Sequence, residues 1–167
     1  MSDETTVRLG LPLLQIGQAQ KEVSHNEALT LLDLAVQPVV EAVGVDTPPI
    51  APSEGACWVV GASPSGAWSG QAHALAGWTA GGWRFVPPRE GMAAWSRTDD
   101  AIARFSGRNW MIGQLSGTRL VLAGAAVVGA QQAPITSPTG GSVSDVEARA
   151  TIAEILAALR SHGLIAT

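Results

Sequence analysis

Between Cys57 and Leu122 the apolar residues come in short runs, and glycine, proline or a polar turn separates each from the next. The runs are Cys57–Val60, His73–Trp78, Trp83–Val86, Met92–Ser96, Ala101–Phe105, Trp110–Gln114 and Arg119–Leu122. None is long enough for a helix that holds together in water. They recur about every ten residues, the rhythm of an antiparallel meander, small sandwich or barrel. Thr79-Ala80-Gly81-Gly82, Thr98-Asp99-Asp100 and Ser106-Gly107-Arg108-Asn109 fall between runs as hairpin loops.

Helices flank this stretch. Leu9 to Gly17, with Pro12 among leucines, reads as an extended arm, and Gln18 to Val36 is rich in helix formers. Pro38 ends that helix, because proline lacks a donor and clashes with the preceding turn. Gly44, Thr47-Pro48-Pro49 and Pro52-Ser53-Glu54-Gly55 read as linker and turn. Near the other end, Ser144 and Glu147 have capping-box spacing. Ile152, Ile155, Leu156 and Leu159 then fall on one helical face. Arg160 and His162 suit the negative end of the helix dipole, and Gly163 suits a left-handed cap contacted by Leu164. The expected class is α+β: an N-terminal helix, a small antiparallel all-β body and a C-terminal helix. The expected division is 1–44 for the arm and first helix, 45–130 for the Trp/Gly-rich β domain, and 131–167 for a linker and an oligomerisation or docking helix.

Composition narrows the function. Hydrophobic residues make up 46 % of the 167 and charged residues 14 %, too apolar for a disordered chain. Net charge is −4 and Lys21 is the only lysine, so no basic face for phosphate binding is expected, and no nucleic-acid partner. The acidic, polar start is unlike a signal peptide, and Leu120 to Ala130 is too short to cross a bilayer. His25, His73 and His162 lie far apart, which argues against zinc. Cys57, the only cysteine, reads as a small buried residue. No nucleophile elbow, phosphate loop or dinucleotide fingerprint occurs. Asp99 and Asp100 are adjacent in a turn and would not converge as a glycosidase pair. The expectation is a protein that is not an enzyme and needs no metal or cofactor.

Six tryptophans without a tyrosine are the oddest feature. Trp58, Trp83 and Trp95 lie inside strand-like runs and are expected in the core. Trp68, in the Gly/Ser-rich stretch Ser63–Gly70, is expected to be exposed. A flat apolar ring with one donor stacks well on sugars, so Trp68, Trp78 and Trp110 are the candidate glycan-binding residues, with core filling as the competing reading. His25-Asn26-Glu27 reads as a polar anchor for the N-terminal arm. The arm itself is expected to dock on a neighbouring chain or in a groove of its own chain. Ala148, Ile152, Ile155 and Leu159 keep coiled-coil spacing over about two heptads. A helix this short must pack on something, so Ile152, Ile155, Leu156 and Leu159 are candidates for oligomerisation, with docking on the β body the alternative.

The opening Leu11-Pro12-Leu13-Leu14-Gln15-Ile16-Gly17-Gln18-Ala19-Gln20-Lys21-Glu22-Val23-Ser24-His25-Asn26-Glu27-Ala28-Leu29 resembles that of domain-of-unknown-function family 2793, found in structural proteins of tailed phages and gene transfer agents. The resemblance continues through Pro52-Ser53-Glu54-Gly55, Trp58-Val59-Val60-Gly61, Gly66-Ala67-Trp68-Ser69-Gly70, Gly82-Trp83-Arg84-Phe85 and Pro88-Arg89-Glu90-Gly91. The tail from Val127 to Ile165 is similar to C-terminal ends of phage fibre and spike proteins, departing at Gln131 where an arginine is expected. The resemblance implies a virion structural protein, a spike, fibre or spike-base subunit involved in host adsorption. Its implied partners are further copies of itself as a trimer or pentamer, other virion proteins, and host surface polysaccharide. It implies a location in a virion or phage-like particle made in the bacterial cytoplasm, and no catalytic residue. A glycan-binding module for host surface polysaccharide is the alternative.

Overall fold

The computed structural model describes residues 5–15, 17, 21–141 and 145–166. Two compact units emerge, Met1–Gln114 and Leu115–Thr167. The class is α+β as expected, but the chain divides in two where three segments were expected. The arm and first helix pack into the first unit, and the strands after Leu115 join the C-terminal helix in the second.

In the first unit, helix α1 (Lys21–Ala35) ends before Pro38, with Gln37 in a left-handed conformation at φ 44°. The expected first helical residues, Gln18, Ala19 and Gln20, lie outside the described residues. The chain then forms two very short strands, β1 (Val39–Val40) and β2 (Val43–Val45). After them come β3 (Cys57–Val60), β4 (Leu75–Thr79), β5 (Gly82–Val86), β6 (Ala93–Ser96), β7 (Ala101–Ser106) and β8 (Asn109–Ile112). They make two four-stranded sheets, ordered β2-β3-β4-β5 and β1-β6-β7-β8. Hairpins keep most pairs antiparallel, but β1 runs parallel to β6 and β2 parallel to β3. The body is therefore mixed, not wholly antiparallel. The stretch between Pro38 and the expected linker steps from one sheet to the other, donating an edge strand to each.

Strand alternation assigns the faces of the first sheet. Cys57, Val59 and Leu75 turn one way and meet Leu34, Val40 and Ala94 in a buried cluster. Gly77, paired with Cys57, is on the same face, and a Cβ there would overlap the Leu34 side chain. Glycine thus lets the helix close onto the sheet. Trp58, Val60, Ala76, Trp83 and Phe85 turn the other way and form a second cluster with Trp68.

The arm is fastened to its own chain, one of its two expected docking places. Asp33, buried on α1, accepts hydrogen bonds from the Thr6 hydroxyl at 2.7 Å and from the Arg8 and Leu9 amides at 3.1 and 2.6 Å. The Arg8 guanidinium donates to the carbonyls of Asp33, Leu34 and Gln37. The first two are among the last acceptors of the helix and the third lies just past it, where a cation also suits the dipole. The Asn26 side chain pairs with both backbone groups of Leu14, so the anchor expected of His25-Asn26-Glu27 falls to its asparagine.

The second unit holds strands β9 (Leu120–Leu122) and β10 (Ala125–Val128) in an antiparallel hairpin, and helix α2 (Val146–Ser161). The helix starts on Asp145, whose carboxylate accepts from the Ala148 amide at 2.8 Å. Ser144, the expected cap, lies outside the described residues. Past the helix, Gly163 is left-handed at φ 68°, as expected. The chain end then bridges to Gln132, and the Gln131 side chain donates to the Ile165 carbonyl at 3.4 Å. Glutamine thus makes a polar contact at the position where the resemblance expects arginine.

Candidate interaction surfaces

Trp68 is where the structure departs most from expectation. A single 3-10 turn, Gly66–Trp68, folds its loop back over the first sheet and buries the ring completely. Its centroid lies 5.0 Å from that of Trp83 in an edge-to-face contact and 6.4 Å from that of Trp58. Such contacts add to the burial of the rings. Trp68 is thus core, and it offers no face to a sugar. Trp58 and Trp83 are half-buried beneath it.

The other two glycan candidates are partly committed. Trp78 is half-buried, with its ring 5.0 Å from that of Trp83. Trp110, also half-buried, donates its Nε1 hydrogen to the His73 carbonyl at 2.8 Å and packs on the first core cluster.

A cleft of about 180 Å³ lies between α1 and the β4–β5 hairpin, with Glu27, Glu54, Trp78 and Arg84 in its walls. Alternation turns the Trp78 ring to the other side of the sheet. The charged groups engage one another or the backbone. Arg84 pairs with Glu27 at 2.7 Å, and Glu54 accepts from the Ala80 amide at 3.0 Å. The cleft works as a clasp holding the helix to the hairpin.

The outward tryptophan is Trp95, 41 % exposed, where a core residue was expected. In β6 it is Ala94 and Ser96 that face inward, and the Ser96 hydroxyl is satisfied by the Asp99 carboxylate. Trp95 pairs across the strands with Ile102, itself exposed, and with Val39. They border an open depression of about 590 Å³ with Pro38, Met92 and Gln37. Sequence could not find this face, because Met92-Ala93-Ala94-Trp95-Ser96 is apolar on both of its parities until the final serine.

Cys57 is buried, and loss of solvation pushes its thiol up to about 11. It is an inert core residue at neutral pH. The unfolded thiol ionises near pH 9 while the folded one keeps its proton, so stability should fall as pH rises from 9 to 11, by about 2–3 kcal/mol. Denaturant melts at pH 8 and 11 would show it, and Cys57→Ala should remove that share of the difference. Glu90, on the surface, accepts from the Ser106 hydroxyl and the Gly107 amide, which hold its carboxyl below the usual range and clamp the β7–β8 turn. Among the described residues no three His, Cys, Asp or Glu side chains gather as metal ligands, and no helix is long and apolar enough to cross a membrane.

The second unit has little interior. Its buried hydrophobic residues, among those described, are Leu156 and Ile165. Of the four oligomerisation candidates, Leu156 is buried and Leu159 is half-buried, while Ile152 and Ile155 are exposed. Leu120, Val121, Leu122, Val127 and Val128 of the hairpin are exposed as well.

Fold and surfaces together define a class: a small mixed α+β body of two sheets, followed by a hairpin-and-helix unit with most of its described apolar residues uncovered. Residues 25–111 match the family described as a protein of unknown function (DUF2793), and the chain belongs to that family. The match begins inside α1 and ends in β8. No curated protein matches the chain.

Proposed function

We propose that this chain is a non-catalytic structural subunit of a phage or gene transfer agent particle, a spike, fibre or spike-base subunit that takes part in adsorption to the host surface. The observation that carries the reading is the second unit. A two-stranded hairpin is marginal alone in water, and so is an isolated helix of this length. Here both leave most of their apolar residues exposed. Such a segment suits a protein built to be completed by assembly. The resemblance of the opening and tail to particle proteins supplies the kind of assembly.

The test is to purify particles on a density gradient and probe the fractions for this chain. It should travel with the particles, and Ile155→Glu should remove it from them while leaving the chain folded. Ile155 is exposed in the single chain, so the carboxylate is costly only where a partner buries it. A chain found solely in the particle-free fraction refutes the reading.

A second reading, recognition of host surface polysaccharide, is favoured by Trp95 and moves there from Trp68. Trp95 is exposed at an open depression on the second sheet that Gln37 also lines. Trp95→Ala should abolish pull-down by host surface polysaccharide with no loss of fold. Unchanged pull-down would exclude this face.

A further inference from the structure

We infer that the depression beside Trp95 is a slot for an extended peptide of another protein, which pairs with the free backbone of Ala93 as an added strand. This goes beyond the assembly reading and does not depend on it. Strand β1 is only two residues long and covers only the end of β6, with Val39 opposite Trp95 and Val40 opposite Ser96. The Trp95 amide donates to the Pro38 carbonyl and the Arg97 amide to the Val40 carbonyl, both at 2.9 Å. Two residues earlier, the same parallel ladder would bring the N–H of residue 38 to the Ala93 carbonyl. Residue 38 is proline and has no N–H. Before it the chain leaves the sheet through left-handed Gln37 into α1. The other neighbour, β7, does not compensate. Its Phe105 amide donates to the Met92 carbonyl, and its Ile102 carbonyl accepts from Gly113 on the far side. Alternation then turns the N–H and C=O of Ala94 and Ser96 toward β7 and those of Ala93 away from it. Among the described residues both Ala93 groups are without a partner.

They point to the side where β1 is missing, and the depression of about 590 Å³ lies there, lined by Pro38, Val39 and Ala93. The N–H and C=O of one strand residue point the same way, and a second extended backbone carries an acceptor and a donor at the matching spacing. Side chains along such a strand alternate between two walls. Met92 and Ala94 form the wall on the core side, Trp95 and Ile102 the wall on the outer side. Both walls are apolar, so the peptide that fits carries apolar side chains on both of its faces. A sugar stacked on Trp95 uses the outer wall alone, so the backbone pair and the second wall together favour a peptide.

The experiment follows hydrogen exchange of single amides in the full chain. In the free protein the Ala93 amide should exchange far faster than those of Ala94, Trp95 and Ser96, which are paired. The probe is a panel of capped threonine heptapeptides with two adjacent apolar residues at the centre. At least one should slow Ala93 exchange. N-methylation of one of its two central amides should weaken binding about tenfold, and of the other much less, because alternate amides of a strand face its partner. Ala93→Pro removes a donor that the fold does not use, so it should keep the denaturation midpoint of the wild type and lose the peptide. If that variant does not fold, the exchange and N-methylation comparisons on the wild type decide. A protected Ala93 in the free chain, a panel without effect on it, or full binding by folded Ala93→Pro overturns the slot. Exchange slowed by host surface polysaccharide and by no peptide overturns the peptide and leaves the polysaccharide reading standing. Association with particles is measured separately, and neither result touches it.

Discussion

Replacing Trp68 with alanine is expected to destabilise the first unit by about 3–5 kcal/mol, the range for emptying an aromatic site in a core. The ring has no exposure and closes one face of the first sheet over Trp58 and Trp83. Its removal leaves a void lined by the edges of two other rings. Trp68→Phe should cost much less, because it keeps most of the volume and discards an indole N–H that has no acceptor among the described residues. Chemical denaturation of the three proteins measures the difference. Acrylamide quenching of single-tryptophan variants gives an independent check. Trp95 should be the most accessible, Trp83 intermediate and Trp68 the least. A cost for Trp68→Ala below about 1 kcal/mol would mean that the loop does not close over the sheet as described.

Asp33→Ala should cost about 2–4 kcal/mol by a different mechanism, the loss of an acceptor shared by three donors. The carboxylate is buried and serves the Thr6 hydroxyl and two amides. Truncation leaves those three donors without an acceptor, while the Arg8 guanidinium keeps its backbone carbonyls. The loss should be local before it is global. Amides of Arg8 and Leu9 should gain hydrogen exchange, and trypsin should cut after Arg8 in the variant under conditions where the wild type resists. Asp33→Asn keeps one carbonyl acceptor and should fall between the two. Protection of Arg8 and Leu9 unchanged in Asp33→Ala would show that other contacts hold the arm.

Local chemistry in the sequence determined much of the architecture. Pro38 stops α1, Gly163 caps α2, and the glycine-rich loops between short apolar runs sit where β3 to β8 turn. These are properties of single residues and their near neighbours, so they can be read without a partner. The α+β class follows from them. Strands β1 and β2 escaped notice because two or three residues beside Pro38 and Gly44 carry no period. What only the tertiary structure decided is which surface each element covers. Alternation says that a strand has two faces and not which one meets the core. Ala94 on the second sheet is small enough to lie against the first, so Trp95 on the opposite parity points outward, while Trp68 leaves its polar loop to seal the other face of the first. The Asp33 clasp joins residues separated by about two dozen positions, and its stability comes from burying a charge together with its donors. That depends on three-dimensional proximity, which no local pattern of residues encodes.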